Sequence, residues 1–435
     1  MEDSDEPPTA VKVSYTHRKT HIREKRRLIG PEYKKTQPPR GLKIHKSFER
    51  TGLLNPAVIQ HRNDPSRLTF FPRLTYHDGT DPDTGKPMEY SCITKLEGKI
   101  IDGQVIIHTD EELIFHSQGF KEQERKHTTR GIEDFRAMRV NGERVHHGFA
   151  VSFDGFNART FYTRTDVPNP EDITRWNTNF GYWFPNIHAQ EAIDLVEIER
   201  YKKEWEAAYG QQTVKDAKAE NPKKQFPEEI YLGSKDCLIF PNKVRKDIGE
   251  GPREYYAIPI RLLPDIQVVY LTGFNDLADR NLSRRVIKNL RNHIMMEREF
   301  WWEESHIGIS SAPVRIPDEK TQGLPKKLIQ KIPEEYRGQY LMGYHGAVMN
   351  GGRVYRGGEV VVDENDPQNI LARTEDPVLF PTEDWEIEGN VPGQIVFPTS
   401  YVFHDGLIHC FYGAGDKYIG HVAKPLTEIL QPFHE

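Results

Sequence analysis

The chain has 435 residues, enough for one large core or two modest ones, and its 36% hydrophobic, 11% aromatic composition with 33 glycines and 30 prolines favours many short strands over long helices. A net charge of -6 argues against a nucleic-acid-binding body, which usually carries a basic excess. No apolar run approaches the roughly 18 residues of a membrane span and no signal-peptide core is visible, so a soluble, cytoplasmic protein is expected, with Cys92, Cys237 and Cys410 as buried thiols.

Charge is uneven at the start. "MEDSDEPP" is acidic, whereas the run from Thr16 to Lys35 is strongly basic. Residues 1–48 therefore read as an N-terminal basic arm. It either meets an anionic partner or packs on the body or on a neighbouring subunit of a homo-oligomer. Residues 49–435 read as the catalytic domain.

From Asn55 a theme recurs five times: a polar lead-in, an apolar strand, a short turn and another strand. The pieces begin at "NPAVIQ", "EDFRAM", "KDCLIF", "APVRIP" and "GQIVFP", roughly 80 to 100 residues apart. Bare propeller blades recur at about 40 to 50 residues, so each unit should carry an extra hairpin or insertion. The expected fold is all-β, a five-bladed β-propeller whose inner-strand ends converge on one pocket. Two segments break the pattern with helical apolar spacing, near 188–212 and 282–304. Their Trp205, Trp301 and Trp302 either line a sugar-binding rim or pack the helices onto the body. The polar stretch "KDAKAENPKKQFPEE" between them reads as a loop.

"GIEDFRAM" places Glu133 beside Asp134. Neighbouring strand residues point to opposite faces, so both cannot serve one pocket unless the strand is distorted. Glycoside cleavage normally uses two carboxylates, and no second one stands at another unit's lead-in. Those positions offer Lys235, Arg261, Arg315 and His345 instead. Each alone reads as a surface or ion-paired group, but together they would form an anion pocket where a bound phosphate supplies the nucleophile. No metal is expected, because no His or carboxylate cluster has ligand spacing.

"GIEDFR", "YHGAVM", "NPAVIQ" and above all the run from "ARTEDPVLFP" through "YGAGD" resemble glycoside hydrolase family 130, the β-mannoside phosphorylases and related mannosidases, from about Asn55 to Leu430. The resemblance implies a five-bladed propeller that cleaves β-mannosides with inversion, many members using inorganic phosphate to release α-mannose 1-phosphate. It implies Asp134 as proton donor, acting through a sugar hydroxyl, with Glu133 in support. Asn55, Arg73 and Asp416 match mannosyl-binding positions, and Lys235, Arg261, Arg315 and His345 match phosphate-binding ones. This chain departs from the family in having Lys235 and Arg315 where Arg and Lys are usual, and "EDFR" for "EDPR".

The leading expectation is thus a glycosyltransferase-type β-mannoside phosphorylase with phosphate as co-substrate and no cofactor. One alternative is a hydrolase of the same fold that draws a base from "EDWEIEGN". Another is a carbohydrate-binding propeller without activity. Neither linkage nor acceptor sugar is legible.

Overall fold

The structure, a computed structural model, describes residues 25–33, 35–44, 46–80, 85–107, 111–121, 125–165, 175–177, 183–210, 215, 229–249, 251–349, 352–390 and 393–433. The basic run before Lys25 and nearly all of the polar stretch 215–229 lie outside the described residues.

The protein is mostly β. Among the described residues, pairing yields sheets of ten, nine and four strands, within which antiparallel units follow one another along the chain. The first unit is Glu49–Gln60, Arg67–Thr80 and Pro87–Ile101 with two short outer strands. The second is Gly131–Met138, His147–Phe153 and Ala158–Thr165 with its own short edge pieces. The third runs Lys243–Asp247, Pro252–Leu262, Asp265–Leu271 and Ile294–Met296. Its chain upstream, Lys235 to Phe240, already bonds along Pro252–Leu262. The fourth contains His306–Ile309, Tyr340–Met349, Arg353–Val362 and Ile370–Arg373.

The fifth contains Gly393–His404, Leu407–Ala414 and Tyr418–Pro425, and is completed by Arg26–Ile29 from the other end of the chain. From Lys25 on, the expected arm is therefore a structural edge of the body, and residue 48 is not a structural boundary. The four residues "RRLI" gain their extended form from the ladder they join, since two arginines and two aliphatics carry no strong strand signal of their own.

Buried apolar clusters lie between successive units. Phe71 and Phe135 join the first to the second, Phe149 and Ile258 the second to the third, Phe240 and Tyr344 the third to the fourth, Leu341 and Tyr412 the fourth to the fifth. Phe70 and Phe411 then join the first to the fifth. A small cavity is lined from all five units, by Ala57, Arg136, Leu238, Ala312 and Thr399 among others. Burial of this kind is non-directional and sets which units neighbour each other.

The helical segment near 188–212 is two helices, Ala189–Leu195 and Glu199–Tyr209, broken at extended Val196 and Ile198. The segment near 282–304 is helical only over Arg280–Lys288, followed by short 3-10 turns and the strand Ile294–Met296. Trp205 and Trp302 are fully buried and donate to the carbonyls of Leu263 and Glu375. They are packing residues, and only Trp301 of the three is exposed. All three cysteines are buried and unpaired.

Candidate active site

Three units distort their inner strand at the same place. Asn55, Asp134 and Asp236 adopt φ values of 46°, 48° and 53°, and the pairing register shifts between Leu54 and Ala57 and between Glu133 and Arg136. Short polar Asn and Asp tolerate this left-handed region better than other non-glycine residues. The kink abolishes the strict alternation of faces. Glu133 and Asp134 consequently meet the same cations: Arg73 Nη2 donates to Glu133 Oε1 at 2.7 Å, and its Nη1 lies 3.9 Å from Asp134 Oδ1.

Asp134 is 8% exposed, and Asn55 Nδ2 donates to its Oδ1 at 2.8 Å. Gly413 makes this arrangement possible, because a Cβ there would stand 1.8 Å from Asn55 Oδ1. Burial alone would push the Asp134 carboxyl up, but Arg73, Lys235, Arg136 and the Asn55 amide hold it below the ordinary carboxylate value. Lys235 Nζ donates to Glu133 Oε2 at 3.1 Å, and that carboxylate raises the lysine's affinity for its proton. Asp416, in the tight turn between the last two long strands, is pushed up by burial and opposed by Arg73.

Lys235 also links this group to a second one through paired backbone hydrogen bonds with Arg261. Arg261 Nε lies 2.9 Å from Asp236 Oδ2, and His345 Nε2 lies 3.6 Å from the same oxygen. Ser310 Oγ and His345 Nδ1 share a hydrogen bond of 2.8 Å. Gly308 admits this contact, since a Cβ there would stand 2.4 Å from both Asp236 Oδ2 and the His345 ring. Burial and then Arg261, His306 and Arg136 keep His345 neutral, while burial pushes Asp236 up. Arg136 is buried against both groups, donating from Nε to Ser310 O at 2.9 Å, with Nη2 left without a hydrogen-bond partner.

The structure thus brings together Asn55, Arg73, Glu133, Asp134, Lys235, Arg261, His345 and Asp416. It does not bring Arg315, whose side chain is 44% exposed and pairs with Asp318 at 2.9 Å and Glu364 at 3.5 Å. The two-residue strand Val314–Arg315 pairs with Leu341 and Tyr340, away from the His345 register. Arg136 supplies the further guanidinium instead. Sequence reasoning missed Arg136 and Asp236, although "GIEDFR" and "GSKDCL" carry the same signal, a charged pair ending in Asp just before an apolar strand. Four cations (Arg73, Arg136, Lys235, Arg261) lie among four carboxyl groups (Glu133, Asp134, Asp236, Asp416), so the pocket is mixed rather than purely cationic. Among the described residues no group of His, Cys, Asp and Glu is arranged for a metal ion.

Comparison with known proteins bears on this arrangement. The sequence model of the glycoside hydrolase 130 family, described as beta-1,4-mannooligosaccharide phosphorylase, matches residues 330–435. A 1,2-beta-oligomannan phosphorylase of Thermoanaerobacter sp. (strain X514) is 28% identical over 196 residues, 45% of this chain and 52% of its own. A beta-1,2-mannobiose phosphorylase of the same organism is 30% identical over 190 residues, 44% and 52% of the two chains. This chain spans about half the length of the curated relatives it matches. In three dimensions the beta-1,2-mannobiose phosphorylase of Listeria innocua, solved with beta-1,2-mannobiose, superposes with a TM-score of 0.53 at 16% identity, covering 92% of this chain and 98% of that one. The fold is thus similar to that of a solved mannoside phosphorylase, and the C-terminal residues 330–435 match the glycoside hydrolase 130 family model.

Proposed function

We propose that the protein is an inverting β-mannoside phosphorylase and that its five units are the blades of a β-propeller with the site near the axis. The observation that carries the activity is the convergence of buried Asp134 with Lys235, Arg261 and His345. The naming of the half-length relatives as mannoside phosphorylases supports it. The cavity lined from all five units supports the propeller.

In this reading an oxygen of phosphate, held by Lys235, Arg261 and His345, attacks the anomeric carbon from the face opposite the leaving group. The glycosidic C–O bond breaks as the C–O bond to phosphate forms, and the leaving oxygen takes a proton that Asp134 delivers through a sugar hydroxyl. The products are α-mannose 1-phosphate and a shortened sugar, and the chemistry calls for no cofactor. Asn55, Arg73 and Asp416 hold the mannosyl ring, while Glu133 fixes Arg73 and Lys235 between itself and Asp134. Positioning and electrostatic preorganisation carry the rate. A cytoplasmic location belongs to the same reading and rests on three unpaired thiols.

One observation favours a second reading. Asp236 Oδ1 lacks a hydrogen-bond donor, and Oδ2 is held by its ion pair with Arg261, so in this reading Asp236 accepts a proton from an attacking water. The base imagined in "EDWEIEGN" finds no support at Glu386, which is fully buried and bonded to Lys25 and Tyr412. Purified protein incubated with β-1,2- and β-1,4-mannobiose, with and without phosphate, separates the two. Phosphate-dependent α-mannose 1-phosphate in the phosphorus NMR spectrum supports phosphorolysis. Free mannose without phosphate, lost in Asp236→Asn, supports hydrolysis.

A further inference from the structure

Lys25 stands at the start of the described chain, far in sequence from every site residue, yet its side chain is only 4% exposed. Its Nζ donates to three acceptors of one segment: Phe380 O at 2.6 Å, Thr382 Oγ1 at 3.0 Å and Glu386 Oε2 at 2.9 Å. Glu386 is fully buried and accepts in addition from the backbone N–H groups of Thr382 and Glu383 and from Tyr412 OH. A buried carboxylate so surrounded needs a cation, because taking an unpaired charge out of water costs several kcal/mol. Lys25 is that cation.

The segment that Lys25 holds runs directly to the sugar side of the site. Gly389 packs so tightly on Gly415 that a Cβ would stand 1.9 Å from Gly415 O. Asn390 N donates to Gly415 O at 2.8 Å, and Asn390 Nδ2 donates to the carbonyls of Asp416 and Thr51 at 3.0 Å each. Leu53 N, two residues before Asn55, donates to Lys417 O. The turn that presents Asp416 is therefore braced from outside by residues 380–390. The anion side, built on Lys235, Arg261, Asp236 and His345, has no part in this brace.

We propose that Lys25 is a positioning residue for the sugar half of the site, pinning residues 380–390 against the Asp416 turn so that Asp416 and Asn55 meet the mannosyl ring. The proposal rests on the reading of Asp416 and Asn55 as sugar contacts. A one-ångström displacement of positioning groups can cost up to about 100-fold, so a partial loosening of the brace should raise the mannoside KM about tenfold. Only that half of the site is displaced, so the phosphate KM should stay within about twofold.

The test compares the wild type with Lys25→Met and Asn390→Ala in the full chain, measuring both KM values and the hydrogen exchange of residues 380–390. A raised mannoside KM with an unchanged phosphate KM in both variants, and faster exchange of 380–390 in Lys25→Met, is the expected result. Equal changes in both KM values, no change in either, or unaltered exchange overturns it. Should Lys25→Met fail to fold, Asn390→Ala alone still decides, because its side chain lies at the exposed end of the brace. A wild type that releases no α-mannose 1-phosphate refutes the phosphorylase reading instead, while the exchange experiment continues to test the brace.

Discussion

Asp134 is an acid that its neighbours keep as a carboxylate. Arg73, Lys235, Arg136 and the Asn55 amide together outweigh burial in the free protein, yet a proton donor must carry its proton when the glycosidic bond breaks. In the proposed reaction, bound phosphate would resolve this by bringing negative charge onto the same cations, weakening their hold and lifting the carboxyl. Turnover should therefore fall as pH rises past the Asp134 value of the ternary complex, and the falling limb of kcat should lie at higher pH than that of kcat/KM. Removing a cation acts in the same direction. Lys235→Met should move the limb of kcat/KM upward while raising the phosphate KM at least tenfold, as loss of a charge-assisted contact of about 1.5 to 3 kcal/mol implies. A pH–rate series on the two proteins checks both. Asp134→Asn should lower phosphorolysis by about a thousandfold, within the usual range for a lost general acid, and a variant retaining a tenth of the activity would assign the proton to another group. At this scale Asp134 and Lys235 were legible because a charged residue leading into an apolar run marks a pocket position, whereas Arg261 and His345 lie within the strands Pro252–Leu262 and Tyr340–Met349. Asp236 was passed over because Lys235 beside it was read as the pocket residue, and nothing local announces the left-handed kink that brings in its neighbour. Arg315 was misread for the converse reason. Its sequence position matches the others, but Asp318 and Glu364 lie close enough to capture it.

At the scale of strands, the fifth unit depends on a seam of few contacts. Arg26–Ile29 joins Tyr418–Pro425 with Arg26 opposite His421, and His421 Nε2 shares a 3.0 Å hydrogen bond with His409 Nδ1 on the next strand. Burial first, then His409 and Arg26, pulls His421 down to about 3, and burial with His404 pulls His409 to about 4, against Asp405. Both rings are neutral when folded, whereas the unfolded chain binds their protons below about 6.5. The stabilisation they permit is thus complete above pH 6.5 and declines as pH falls, levelling only near the folded values. At pH 5 each ring should cost about 2 kcal/mol relative to pH 7.5. Urea unfolding at the two pH values tests this, and His421→Phe should recover about half of the loss. The recurring strands were legible from lead-in, apolar run and turn. The helix read near 282–304 was half right, because apolar spacing continues past Lys288 although Asn289, Asn292 and the need to pair with Asp265–Leu271 end the helix there.

Over the whole molecule, the strand Arg26–Ile29 is what sequence reading had no means to find. Five repeats announce five units, but the last one counts only three long strands of its own, and its fourth comes from a basic tetrapeptide some 390 residues upstream, as Arg26 pairs with His421. Composition marked that stretch as a basic arm that either meets an anionic partner or packs on the body or on a neighbouring subunit. Leu28 and Ile29 pack against the core between the first and fifth units, and Lys25 neutralises a carboxylate that water does not reach. Deleting residues 1–30 would leave Glu386 buried without its cation, expose the edge of Tyr418–Pro425, and uncover part of that core. Breaking one buried pair costs about 3 to 5 kcal/mol, and two partly buried aliphatics contribute about 1 to 2 kcal/mol more, so a loss of about 5 kcal/mol is expected. The bared strand edge should also promote association through backbone pairing. Chemical denaturation followed beside light scattering measures the two effects. Lys25→Met should reproduce the charge part of the loss without the scattering, because it leaves the strand in place. A deletion variant that keeps the wild-type midpoint would mean that the packing of the first unit on the fifth holds the two together unaided, with Arg26–Ile29 contributing nothing to it.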